Sequence, residues 1–178
     1  IFAGAIIIYR YIIEVLNYFL NKKYINPFSV IAHMALGLLL VSISFNSLLS
    51  SERALNIKIN EYEEYKDLKI FFEDIRVLNN SNNDSIKATF VIEDLDGKRF
   101  NLSPEKRRYF TRGQITTETA IHIMPLKDIY MTIGDQLDDG SWIVNIQINY
   151  LIRFIWFSAA LMAFAGMMLV FSKKRKQL

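Results

Sequence analysis

One stretch of this 178-residue chain leaves little freedom of fold: Ile155-Trp156-Phe157-Ser158-Ala159-Ala160-Leu161-Met162-Ala163-Phe164-Ala165-Gly166-Met167-Met168-Leu169-Val170-Phe171, closed by Lys173-Lys174-Arg175-Lys176. No charge falls between Arg153 and Lys173. At about 1.5 Å per residue, a helix of that length covers the roughly 30 Å hydrocarbon core of a bilayer. A second uncharged stretch, between Lys23 and Glu52, contains Ile31-Ala32-His33-Met34-Ala35-Leu36-Gly37-Leu38-Leu39-Leu40 and is also long enough to cross. Lys22 and Lys23 precede the first span and the basic tail follows the second, so the positive-inside rule places both flanks on the inner side and the segment between them outside.

Charge is distributed accordingly. Residues 50–150 hold 13 Lys and Arg against 17 Asp and Glu, whereas the rest of the chain holds 8 against 1. The net charge of +3 therefore reflects topology, and nucleic acid is not an expected partner. The chain contains no cysteine, so neither a disulfide framework nor thiol chemistry resides in it.

The opening Ile1-Phe2-Ala3-Gly4-Ala5-Ile6-Ile7-Ile8-Tyr9 is apolar but too short to cross by itself, and reads as the end of a truncated helix. Arg10 to Lys23, with Arg10 and Glu14 at i and i+4 among Ile12, Ile13, Val15, Leu16, Phe19 and Leu20, has the amphipathic pattern of a helix at the cytoplasmic interface. No secretory cleavage pattern is visible, and the expectation is the C-terminal piece of a larger polytopic protein.

Between the spans the period changes to two. Leu55–Ile59, Lys69–Val77, Ala88–Ile92, Ala120–Met124 and Asp128–Ile133 read as strands of an antiparallel sheet. Asp96-Gly97 is a strong hairpin signal and Asp139-Gly140 a weaker one, because tight primed turns need the positive φ that Asp and Gly tolerate. Asn79–Asn83 reads as a polar loop and Glu61–Glu64 as a solvated turn. The expected fold is an integral membrane α-helical protein with an extracytoplasmic antiparallel β domain, a small sandwich or barrel, inserted between two transmembrane helices. Its divisions are 1–26, a truncated helix end and cytoplasmic amphipathic segment; 27–49, a transmembrane helix; 50–150, the outer β domain; 151–172, a transmembrane helix; and 173–178, a basic cytoplasmic tail.

Few residues carry chemistry. An imidazole in a membrane helix is costly unless satisfied, so His33 either hydrogen-bonds a neighbouring helix or ligates a haem iron. Ser29, His33 and Gly37 follow at i, i+4 and i+8, which puts small groups one turn either side of the ring on a single face that a flat porphyrin can approach. His122, in alternating phase to Ile121 and Ile123, reads as a solvent-facing strand residue without chemistry. Glu105-Lys106-Arg107-Arg108-Tyr109 is either a docking patch for an acidic partner or lipid surface, or a solvated loop after Pro104. Ala159, Ala163 and Gly166 form a small-residue stripe suited to close helix packing, and Trp156 sits where interfacial aromatics are expected.

The order of elements resembles the C-terminal end of the CcmF family of haem-handling membrane proteins in cytochrome c maturation. The likeness runs from about Pro27 to the end. It is carried by Ala32-His33 opening a span, Leu102-Ser103-Pro104-Glu105-Lys106-Arg107-Arg108-Tyr109, Thr116-Thr117-Glu118, Asp128-Ile129-Tyr130 with Gly134, Gly140-Ser141-Trp142, and the ending Ile155-Trp156 through Leu161-Met162-Ala163 to Gly166 and the basic tail. Two positions depart from the family: Tyr150 stands where a proline is usual and Ser158 where a glycine is usual.

The resemblance implies a role in a haem lyase complex that attaches haem covalently to apocytochrome c, in a bacterial or mitochondrial inner membrane, with the β domain on the periplasmic or intermembrane-space side. It implies a haem b held between membrane helices, with His33 as one axial ligand to the iron and Ser29 and Gly37 packing on the porphyrin. The implied partners are a haem chaperone, apocytochrome c, other cytochrome c maturation subunits, the upstream part of the same protein and membrane lipid. By itself this chain is not expected to catalyse ligation. A different class of reading, a membrane-tethered β scaffold or sensor without a cofactor, shares the same fold.

Overall fold

The computed structural model describes residues 1–21, 26–111 and 113–174. The elements run α1 (Phe2–Asn21), α2 (Pro27–Leu49), β1 (Ser51–Ile57), β2 (Tyr62–Tyr65), β3 (Leu68–Asn79), β4 (Asn83–Asp94), β5 (Arg99–Leu102), β6 (Glu105–Tyr109), β7 (Ile115–Glu118), β8 (Ala120–Ile123), β9 (Lys127–Gln136), β10 (Trp142–Tyr150) and α3 (Ile152–Lys174). The chain divides into a helical unit built from its two ends and a β unit, Ser51–Asn149.

In the β unit, one sheet has the order β1-β10-β9-β8; the other runs β2-β3-β4-β6-β7, with β5 also paired to β4. The alternation in the sequence becomes the core. Ile70 and Phe72 of β3, Phe90 and Ile92 of β4, Ile129 and Met131 of β9, and Val144 and Ile146 of β10 are fully buried. Phe72 and Phe90 lie opposite each other in the β3–β4 ladder, with their rings stacked at 4.4 Å. A bulge between Phe72 and Asp74 breaks this phase, and beyond it β3 leaves the core: Val77 is 70% exposed.

Turn chemistry holds where the sequence marks it. Gly97 has φ of 73° and closes the β4–β5 hairpin, in which Glu93 faces Arg99. Gly140, at φ of 84°, turns β9 into β10, with the Leu137 N–H donating to the Ser141 carbonyl at 2.8 Å. The polar Asn79–Asn83 stretch is a tight β3–β4 turn, closed by the Asn80 N–H on the Asn83 carbonyl and by the Asn80 side-chain amide on Asn83 Oδ1.

Strand boundaries depart from the sequence pattern where pairing overrides it. β1 starts at Ser51, because Ser51–Ile57 pairs along its whole length with Ile148–Trp142 of β10. Glu61–Glu64 is not a turn, since Tyr62–Tyr65 is a strand on β3, and Lys69 on that partner places its ammonium 4.1 Å from the centre of the Tyr62 ring. Glu105–Tyr109 is likewise a strand, β6, held between β4 and β7.

The helical unit also differs from expectation. The apolar opening does not stop at Tyr9 but continues through Arg10 and Glu14 as one helix to Asn21. Both charged residues lie in a helix that satisfies its own backbone, so the i, i+4 pattern does not end it. Lys22 and Lys23, on which the expected orientation rests, lie outside the described residues. Among the described residues three helices, Phe2–Asn21, Pro27–Leu49 and Ile152–Phe171, are long and apolar enough to cross a membrane.

α2 packs against both α1 and α3. On α3 the buried small residues are Ser158 and Ala165, seven apart, while Ala159, Ala163 and Gly166 are exposed, so among the described residues the stripe is not the face that packs. Ser158 fits where the family favours glycine because its hydroxyl donates back to the Phe154 carbonyl at 2.6 Å. Tyr150, where the family usually has proline, uses its N–H to donate to Ser50 Oγ at 3.2 Å, which a proline cannot do.

Candidate functional site

The candidate site is built on the first turns of α2. Asn26 caps the helix, its Oδ1 accepting from the N–H groups of Phe28 and Ser29 at 3.1 and 3.4 Å, and Pro27 occupies the first turn without needing a donor partner. This fixes the helix start nearly two turns before His33. The His33 Nδ1 lies 2.7 Å from the Ser29 carbonyl oxygen. A carbonyl only accepts, so Nδ1 carries a proton, and in the neutral form of the ring the lone pair is then on Nε2. Ser29 thus acts on the ring through its backbone.

The opposite helix supplies the other constraint. Tyr11 of α1 stacks on the His33 ring, with centroids 4.6 Å apart and planes inclined by 21°. One turn further along, Gly37 meets Gly4: a Cβ built on Gly37 would lie 2.7 Å from Ile8 Cγ1 and 2.9 Å from the Gly4 carbonyl, and a Cβ on Gly4 would lie 2.6 Å from the Gly37 carbonyl. The two glycines let the helix backbones touch. The space that a side chain at Gly37 would take is filled by α1, so Gly37 seats a helix.

The His33 ring itself is exposed on the helix pair despite both contacts. The arrangement amounts to a half-site for a metal: one imidazole with a defined tautomer, a buttressed ring and an accessible Nε2. An imidazole nitrogen of this kind is a donor type that haem iron accepts.

The other sequence candidates lie in the β unit. His122 does not face solvent; Ile121 and Ile123 do, at 49% and 59% exposure, while His122 turns inward and stacks on Phe100 of β5 at 3.7 Å. With His122 stacked on Phe100 and both isoleucines exposed, the phase of β8 is the reverse of that expected. The basic run of β6 is neither a loop nor a free patch. Lys106 pairs with Asp135, Arg108 with Asp84, and Arg107 makes two 2.9 Å bonds to Glu105 and lies 3.5 Å from Glu118. The Arg107 guanidinium holds the Glu105 carboxyl below its ordinary range, against the opposing effect of burial. Every cation of the run is answered within the sandwich.

Tyr11 escaped the sequence reading. Its segment reads as interfacial, and the pairing with His33 emerges only once antiparallel helices bring Gly4 to Gly37; the two glycines are the one signal in the sequence that could have aligned them.

A two-sheet antiparallel sandwich carried between apolar helices, one bearing a histidine near its start, defines an integral membrane protein with an inserted β domain. Residues 48–149 match the family model described as the CcmF C-terminal beta-sandwich, and the chain belongs to the CcmF family. It is 30% identical over 149 residues to the cytochrome c-type biogenesis protein CcmF of Escherichia coli (strain K12), covering 83% of this chain and 23% of that protein. To the CcmF of Pseudomonas fluorescens it is 27% identical over 144 residues, covering 81% of this chain and 22% of that protein. A solved structure of the cytochrome c heme lyase CcmF superposes with a TM-score of 0.64 at 15% identity, over 79% of this chain and 23% of that one; at that identity the likeness speaks to the fold. The chain thus spans less than a quarter of the length of these relatives.

Proposed function

We propose that this chain is the C-terminal portion of a cytochrome c haem lyase, a membrane protein taking part in the covalent attachment of haem to apocytochrome c, and that His33 supplies one axial ligand to a haem b held between membrane helices. The observation that carries the reading is the bond from His33 Nδ1 to the Ser29 carbonyl, which leaves Nε2 as a free donor on an accessible ring. Family membership supports the reaction class. Bound there, a haem would supply one-electron chemistry at its iron.

The chain's own residues orient the donor. Asn26 sets the start of α2, the Ser29 carbonyl fixes the tautomer, and Gly37 with Gly4 holds α1 against the same face. The second axial ligand and the groups that present haem to the apocytochrome belong to the upstream part of the protein and its partners: a haem chaperone, apocytochrome c and further maturation subunits. In this reading the β domain faces the periplasm or intermembrane space, and the segments around Lys22 and Lys173 face inward.

His33→Ala in the intact complex tests the ligand. Haem content and the low-spin bis-histidine spectrum should be lost, because alanine offers no iron donor. Full haem b with an unchanged reduced spectrum in the purified variant would show His33 to be a helix-packing residue.

A further inference from the structure

We propose that Tyr11 is the positioning residue of this site: it sets the plane of the His33 imidazole and thereby tunes the iron that His33 holds. The inference rests on the assignment of His33 as a ligand.

The geometry is that of a ring held on two sides. The hydrogen bond from Nδ1 to the Ser29 carbonyl fixes one edge but leaves the imidazole free to swing about that contact. Tyr11, half-buried and stacked at 4.6 Å with a 21° inclination, covers one face and removes that swing. Nε2 lies in the ring plane, at its edge, so a stacked neighbour does not obstruct it. The clamp depends on α1 keeping its height along α2, which the contact of Gly4 with Gly37 and Ile8 enforces, since any side chain at either glycine collides with the facing helix. Outer partners of a metal-binding histidine orient the ring and adjust its basicity, and their loss typically weakens metal binding by roughly 10-fold or more.

The chain has only two histidines, so selective ¹⁵N labelling reports each ring separately. In nanodiscs, without haem, the His33 carbon-bound ring protons should show the upfield ring-current displacement of a stacked aromatic and the nitrogens the Nδ1–H tautomer. Tyr11→Phe should preserve the displacement and Tyr11→Leu abolish it. Absence of the displacement in the unsubstituted chain overturns the proposal without recourse to any variant. In the intact complex, Tyr11→Leu should keep a bis-histidine haem but shift its low-spin g-values and midpoint potential and weaken haem retention about 10-fold, with Tyr11→Phe behaving as the unsubstituted protein. If His33→Ala loses the haem while Tyr11→Leu leaves g-values, potential and retention unchanged, the positioning role is refuted and the ligand assignment stands. If His33→Ala keeps the haem unchanged, both fall together.

Discussion

The β unit and the helical unit use apolar residues in opposite ways. In the sandwich the large side chains answer one another: Phe72 and Phe90 are wholly hidden, and the cations of β6 are each paired within the domain. In the helices they are turned outward, with Phe2 86% and Trp156 73% exposed, while what lies buried among the described residues is, Val30 apart, small: Gly4, Gly37, Ala35, Ser42, Ser158 and Ala165. A domain in water hides its bulk, whereas a helix in lipid has no hydrophobic reason to do so and packs through what lets backbones approach. Chemistry sits accordingly. A histidine in the sandwich is absorbed into stacking, and one on the helix pair stays available.

The largest effect that could break this contrast is topological. Because the chain lacks cysteine, a single cysteine at Asn80 in the β3–β4 turn and another at Gln177, outside the described residues, should each be uniquely labelled, and from opposite faces of the membrane. Labelling of both by an impermeant reagent added outside would show that the two regions do not differ in the compartments they face. Next in size, Phe90→Ala should destabilise the β unit by about 3–5 kcal/mol, read by urea unfolding of the excised Ser51–Asn149 domain, which its closed core should allow to fold in water. A loss under 1 kcal/mol would mean that the sandwich does not depend on its two stacked phenylalanines.

Smaller is Asn26→Ala at the start of α2. Loss of the cap should cost about 1 kcal/mol and raise amide exchange at Phe28 and Ser29 roughly 5-fold, leaving the sandwich untouched. The smallest concerns pH. The Glu105 carboxyl is depressed in the folded domain, first by its bonds to Arg107, so the stability it contributes is present above its ordinary value near 4.5 and disappears as pH falls through the lowered folded value. Glu105→Gln should therefore flatten the acid limb of the domain's stability curve. An identical acid limb in both proteins would show that the Arg107 pair has no thermodynamic weight.

Much of this architecture was legible because each region writes its own period. The two long uncharged runs specify α2 and α3, and alternation with Asp-Gly turns specifies the sandwich and two of its hairpins. What stayed hidden depends on partners distant in sequence. β2 and β6 carry charges on consecutive positions, with no apolar alternation to mark a strand, and become strands by pairing with β3 and β4. Ile121 and Ile123 announce themselves as the inner face of β8, yet the aromatic ring of Phe100 draws His122 inward instead. At the candidate site His33 and its i−4 neighbour were readable from helical spacing. Tyr11 and the helix seated on Gly37 were not, since a short apolar run followed by charges does not reveal that it continues as one helix.

The pairing of β1 with β10 has a consequence for the protein's architecture as a whole. These are the entry and exit strands of the sandwich, matched from Ser51 with Ile148 to Ile57 with Trp142, and at their base Tyr150 bonds to Ser50. Seen from the membrane, some hundred residues begin and finish at adjacent points. Closing an unstructured loop of that length would cost about 4 kcal/mol of chain entropy, which the zipped pair absorbs. The sandwich is therefore a graft on a hairpin of helices: it can lengthen, diversify or be exchanged for another module with neighbouring ends while the α2–α3 connection keeps its spacing.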